Sequence, residues 1–148
     1  MTAPQTPTAA PLDQPLYGAS FGDAIRRFFA KYADFTGRAS RSEYWWWVLF
    51  AVIVGAVYSI LLQSLGTVGN GGNGYGPIGW ILTVVYILWG LAILVPSLAL
   101  IWRRLHDANL AGPFFFLGFI PLVGWIILLV FYLLPSKPEG ARFDRRRA

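Results

Sequence analysis

The sequence predicts an all-α fold: a polytopic helical membrane protein with an N-terminal amphipathic helix followed by three apolar segments. Three observations carry this. Hydrophobic residues make up 56% of the 148 positions and mean hydropathy is +0.54, too apolar for an ordinary water-soluble domain of this size. Only 13% of the residues are charged, and they fall before residue 44, at 103–107 and after 136. The stretches between those clusters hold three apolar runs, 44–65, 78–102 and 114–134, each about as long as a helix that crosses a hydrocarbon core of about 30 Å.

Residues 1–16 hold Pro4, Pro7, Pro11 and Pro15 among Thr, Ala and Gln, with too little apolar surface to offset the entropy of ordering, and are expected to be a disordered tail. The remainder, 17–148, reads as one membrane domain. Ser20 with Asp23 three residues on makes a weak capping box, opening an amphipathic helix over 20–34. Its apolar stripe is Ile25, Phe28, Phe29 and Tyr32, with Arg26, Arg27 and Lys31 off the stripe. The pattern suits a helix lying in the headgroup region, aromatics dipped toward the acyl chains and cations toward anionic lipid. The competing reading packs the same helix on the protein's own loops. Gly37 closes the segment.

The first span, 44–65, has no formal charge and as a helix reaches roughly 33 Å. No secretory-type leader precedes it, so it is expected to be its own insertion signal. Trp45, Trp46 and Trp47 stand at its entrance as interfacial anchors. Ala51, Gly55 and Ser59 recur every four residues, a stripe that lets another helix approach closely. Residues 66–77 contain six glycines in twelve and no charge, and lack the Lys and Ser/Thr of a phosphate loop; they form a connector. The second span, 78–102, is about 37 Å of helix, ends on the anchor Trp102, and carries Pro96 where it can bend. The third run, 114–134, is broken by Pro121 and Gly124. It either crosses as one bent helix or enters and returns as a hairpin, whose backbone must be covered by protein.

Lysine and arginine give the orientation. Five precede the first span (Arg26, Arg27, Lys31, Arg38, Arg41), none lies in the glycine loop, two lie at 103–112, and five lie in the tail (Lys137, Arg142, Arg145, Arg146, Arg147). The positive-inside rule sets the N-terminus and the 103–107 cluster in the cytoplasm and the glycine loop outside. A single third crossing would put five basic residues outside; a hairpin returns them, although each arm then has only about half the length of a span.

Net charge of +5 does not point to nucleic acid, because the basic residues flank apolar spans instead of interleaving with stacking aromatics. With no cysteine, thiol catalysis, disulfides and sulfur ligation are excluded.

Three motifs stand out: Phe35-Thr36-Gly37-Arg38-Ala39-Ser40-Arg41-Ser42-Glu43-Tyr44-Trp45, Arg103-Arg104-Leu105-His106-Asp107, and Ile120-Pro121-Leu122-Val123-Gly124-Trp125. Together they resemble the bacterial membrane-protein family catalogued as domain of unknown function 805, over about residues 28–143. The resemblance implies a bacterial inner-membrane protein of several helices, without an established activity and without catalytic residues to carry over. The family's tail pattern of Gly-Pro-Asn-Arg-aromatic-Gly is departed from here at Ala141 and Asp144.

The chemistry-bearing residues form one expected cluster at the cytoplasmic face: Arg38, Arg41, Glu43, Arg103, Arg104, His106 and Asp107. The first span begins there and the second ends there. Guanidinium forks match carboxylates, so Asp107 is expected to pair with Arg38 or Arg41 and Glu43 with Arg103 or Arg104. His106 beside Asp107 invites acid–base chemistry, but neighbours in sequence do not share a helix face. One histidine without cysteine builds no metal site, and no cofactor is implied. The sequence favours a structural or interaction protein with a basic face for anionic lipids, for other membrane proteins or for a second copy of itself. The alternatives are a transporter or channel component, whose spans would need polar residues, and a headgroup-level enzyme using His106 and Asp107.

Overall fold

A computed structural model describes residues 11–144 except Asp13 and Gly72. Residues 1–10 of the predicted disordered tail, and Arg145 to Arg147, lie outside the described residues. The element order is α1 (Phe21–Ala30), α2 (Arg41–Leu65), α3 (Pro77–Asp107), a 3₁₀ helix (Gly112–Phe119), α4 (Val123–Leu133) and a 3₁₀ helix (Pro138–Phe143); no strand occurs among the described residues. The chain forms two compact units: the part through Trp47 together with the part from Pro96 onward, and Val48–Val95.

In the second unit, one member of the small-residue stripe meets α3: a Cβ on Gly55 would lie 3.5 Å from the Tyr86 hydroxyl, an ordinary contact made by the tip of a long side chain, while Ser59 is exposed. Tyr58 stacks on Tyr86 with ring centroids 3.8 Å apart, and Phe50 meets Trp89 edge-on at 6.2 Å. Pro77 opens α3 at the position where a missing N–H costs nothing. The glycine connector closes by Gly76 N–H donating to the Gly66 carbonyl at 2.8 Å, with Gly69, Gly71 and Gly74 all at positive φ. Most other large side chains here, among them Val52, Ile60, Ile81, Val85 and Leu88, are exposed.

The first unit departs from expectation at α1. Ser20 caps the helix as predicted, accepting from the Asp23 N–H at 3.2 Å. The segment does not, however, turn all of its cations outward. Arg27 and Lys31 are buried, and Phe28 is 1% exposed, stacked on Trp47 at 3.3 Å. The cause is Glu43, a buried carboxylate that draws the Arg27 face of α1 onto the start of α2. Phe29, Tyr32 and Arg26 stay exposed. The ordered chain also begins earlier than predicted. Leu16 is buried, its N–H donating to Glu43 Oε2 at 3.1 Å and its carbonyl accepting from Ser40 Oγ at 2.6 Å.

α3 runs past the predicted end at Trp102 to Asp107, because Arg104 and Asp107 pair one turn apart and hold the last turn. The third run is a hairpin. Its arms are the 3₁₀ helix Gly112–Phe119 and α4, each about 16 Å long and so about half a hydrocarbon core. The Ile120-Pro121-Leu122-Val123-Gly124-Trp125 motif makes the bend. Leu122 takes φ 63, a conformation that costs a non-glycine residue strain. A Cβ on Gly124 would sit 1.8 Å from the Leu117 carbonyl oxygen, so only glycine lets the arms approach this closely. Trp125 Nε1 donates to the Gly118 carbonyl at 2.8 Å and ties the bend across. Both arms return to α3: Trp102 lies against Gly112, and the end of α4 meets Arg104.

Candidate functional site

Two buried ionic centres occupy the first unit, one around Asp107 and one around Glu43. The seven residues of the expected cluster divide between them, with Arg41 left exposed.

Asp107 is fully buried. Its Oδ2 accepts from Arg104 Nη1 at 3.0 Å and from the Ser136 hydroxyl; its Oδ1 accepts from the Tyr17 hydroxyl at 3.1 Å and stands 4.0 Å from Arg38 Nη1. Arg38 is only a distant partner of Asp107, because its guanidinium is engaged in two-point contact with Asp144, Nε to Oδ1 at 3.0 Å and Nη2 to Oδ2 at 2.9 Å. The carboxylate that departs from the family's tail pattern is thus a partner of the Arg38 motif.

Arg104 joins the elements. Beyond Asp107 it donates through Nε and Nη2 to the Tyr132 carbonyl, at 3.1 and 2.9 Å, and through Nη2 to the Leu134 carbonyl. The last carbonyls of a helix have no partner within it, and here a guanidinium from α3 supplies donors to the end of α4. The tail is then stitched to the same place by Lys137 N–H donating to the Asp107 carbonyl at 2.8 Å. Gly140 packs so closely that a Cβ would lie 2.3 Å from the His106 carbonyl oxygen.

His106 and Asp107 point apart. The His106 Nδ1 N–H donates to the Gly37 carbonyl at 3.0 Å, the tautomer a carbonyl acceptor requires, and its ring stacks on Phe143 with centroids 4.0 Å apart. The histidine is a joint between the Gly37 turn and the tail.

At the second centre, Glu43 pairs with Arg27, Nε to Oε1 at 2.5 Å, and not with Arg103 or Arg104 as the sequence suggested. Position decides this: Glu43 sits at the third residue of α2 and turns back on its own cap. Ser40 Oγ accepts from Glu43 N–H at 3.2 Å while Glu43 Oε2 accepts from Ser40 N–H at 2.8 Å, a complete capping box. Arg27 reaches it from α1 and also donates to the Gln14 carbonyl at 2.5 Å. Trp46 Nε1 donates to the Ala19 carbonyl at 2.9 Å, and Trp102 meets Phe35 edge-on. These two anchors therefore hold protein segments as well as standing at the helix ends, while Trp45 rests against Tyr44.

Lys31 lies one turn beyond Arg27, 2% exposed, with no hydrogen-bond partner for Nζ. Burial, then the positive charge of Arg103, lower its pKa from 10.5 to about 8, against the pull of Glu43. Between about pH 8 and 10.5 the unfolded chain holds a proton that the folded chain has released, so stability climbs with pH across that window and is flat in this respect below it. Denaturant titrations of wild type and Lys31→Met from pH 7 to 10.5 are expected to show the climb in the wild type alone.

Residues outside the predicted cluster complete both centres: Tyr17, Ser136 and Asp144 at Asp107, and Leu16, Arg27 and Ser40 at Glu43. The Ser40-x-x-Glu43 spacing before an apolar run is the one sequence signal that identifies a partner among them. No group of three or more metal-ligating side chains occurs among the described residues.

Two helices are long and apolar enough to cross a membrane, α2 and α3, with mean hydropathy 2.3 and 2.4 over their most apolar windows; none of the first window and 17% of the second is buried, while Glu43, Arg103, Arg104 and Asp107 are buried at the helix ends. That inversion of a soluble fold is the arrangement a helical membrane protein requires. The chain belongs to the family described as Protein of unknown function (DUF805), whose model matches residues 32–145. It is 39% identical over 112 residues to inner membrane protein YhaI of Escherichia coli strain K12, covering 76% of this chain and 84% of that protein. Over 121 residues it is 37% identical to inner membrane protein YhaH of the same strain, covering 82% and 93%. No solved structure matches the chain significantly.

Proposed function

We propose that this protein is a multi-pass inner-membrane protein with a structural or interaction role, presenting a braced basic platform at the cytoplasmic surface to anionic lipids and partner proteins. In this reading α2 and α3 cross the bilayer, the glycine loop is outside, and the third run re-enters from the cytoplasm and returns. The observation that carries it is Arg104 of α3 holding the Tyr132 and Leu134 carbonyls at the end of α4, which keeps the tail beside the N-terminal cluster. Five basic residues before the first span against none in the glycine loop support the orientation. The return of the third run brings Lys137 and Arg142 to the same side, in accord with that rule.

Both ionic centres are committed to joining backbone segments, which favours a brace over a reaction centre. The exposed cations Arg26, Arg41, Lys137 and Arg142 then face the headgroups. In a neutral-detergent titration, phosphatidylglycerol should bind in preference to phosphatidylcholine. Replacing any one of these four by glutamine should weaken that binding by about fivefold, the worth of one cation at a lipid surface. Equal affinity for the two lipids, unaffected by the substitutions, would contradict the proposal.

A further inference from the structure

The brace leaves one part of its charge unexplained. Arg27 and Lys31 are four residues apart and share a face of the α1 segment, with Lys31 N–H donating to the Arg27 carbonyl at 3.0 Å. Arg27 is satisfied by Glu43 and two carbonyls. Both Glu43 oxygens are engaged, Oε1 with Arg27 and Oε2 with the N–H groups of Leu16 and Ser40. The Ala39 N–H donates to the Arg103 carbonyl at 3.1 Å, which brings α3 against the same turn. Arg103, 1% exposed, spends Nε on the Ala99 carbonyl at 3.2 Å and leaves Nη2 buried without a hydrogen-bond partner, as Nζ of Lys31 is left. Two cationic donors without hydrogen-bond partners are thus buried within electrostatic reach of one another, in a neighbourhood they share with Glu43, already paired with Arg27, and with Asp34.

We infer that Lys31 Nζ and Arg103 Nη2 form a binding site for one phosphate group, held between the C-terminal end of α1 and the end of α3. A buried cationic donor without a hydrogen-bond partner is costly, and a second in its electrostatic reach adds to the cost. A single anion with several oxygens relieves both, the lysine acting as a point charge and the arginine as a directional donor. Burial, then Arg103 and more weakly Arg27, lower the Lys31 pKa, while Glu43 and Asp34 oppose the shift. The inference deepens the basic-platform reading, on which it rests for the lipid headgroup as a source of phosphate; phosphate or a soluble phosphate ester is the other source.

The test uses the full chain in neutral detergent, titrated calorimetrically with short-chain phosphatidylglycerol, with inorganic phosphate and with the matching diacylglycerol. Saturable one-to-one binding of a phosphate-bearing probe is expected, with none of diacylglycerol. Lys31→Met and Arg103→Met should each weaken it by about tenfold to a hundredfold, the worth of a hydrogen bond to a charged group. Lys31→Arg should retain it. Binding of phosphatidylglycerol alone identifies a headgroup site; equal sensitivity of inorganic phosphate to the two substitutions identifies a soluble source. Affinity for phosphatidylglycerol, which does not itself titrate there, should fall as the pH rises above about 8. Before ligand is added, both methionine variants should melt no lower than wild type, since each removes an unpaired cation. Variants that melt well below wild type overturn the site, because the protein itself would then be satisfying the two groups. Absence of saturable binding overturns it as well. So does binding that ignores Lys31 and Arg103 but weakens with Arg26→Gln or Arg41→Gln, an outcome that leaves the surface reading standing.

Discussion

Arg104→Met is expected to lower stability by about 3–5 kcal/mol, the cost of breaking a buried ion pair by removing one partner. The loss has two sources. Asp107 keeps its hydrogen bonds from Tyr17 and Ser136 but loses its nearest cation in a fully buried site. The Tyr132 and Leu134 carbonyls lose the donors that close the end of α4. Unfolding in mixed detergent micelles reads the total, and Asp107→Asn separates the parts. The double variant should cost clearly less than the sum of the two singles, because the residues touch, while the carbonyl contribution persists in either background. Additive losses would mean that Arg104 acts on α4 alone.

The second large effect falls at Glu43. Glu43→Ala removes the counter-charge of buried Arg27 and opens the capping box of α2 in one step, and is expected to cost about 3–5 kcal/mol. Glu43→Gln keeps an acceptor for the Ser40 and Leu16 N–H groups and loses only the charge, so it should fall between wild type and alanine. Adding Arg27→Met to Glu43→Gln should recover part of the loss by removing the stranded cation. If glutamine is as stable as glutamate, the Arg27 pair contributes nothing and the cap carries the whole role of this residue.

How much of this was legible beforehand differs by level. The two long helices were, because an apolar run of that length forms a helix, and α2 and α3 lie where the runs do. The polar cluster was legible in part: residues 38–43 and 103–107 flank those runs, but Tyr17, Arg27, Ser136 and Asp144 were not among its expected members. The pairing inside it was not. Choosing a partner for Glu43 needed the direction of its side chain, which the capping box sets by pointing it back toward Ser40; the Ser-x-x-Glu spacing was there to be read. The pairing of Arg38 with Asp144 spans 106 residues and has no local signature. Arg104 binds backbone carbonyls, which every residue has, so no residue type could mark its partner. For α1, the same stripe of aromatics fits lipid on one side or protein on the other. The deciding term, a buried carboxylate on another helix, lies outside the window that shows the stripe.

The side of the membrane on which the tail lies distinguishes a re-entrant third run from one that crosses. The chain has no cysteine, so single cysteines placed at Ala30, Asn73 and Glu139, all exposed, report side without background. A membrane-impermeant maleimide applied to spheroplasts and to inside-out vesicles is the measurement. The re-entrant hairpin predicts that residues 30 and 139 label together in inside-out vesicles and residue 73 labels in spheroplasts. Labelling of residue 139 with residue 73, on the side opposite residue 30, would mean that the third run crosses, and would contradict both the hairpin and the platform built on it.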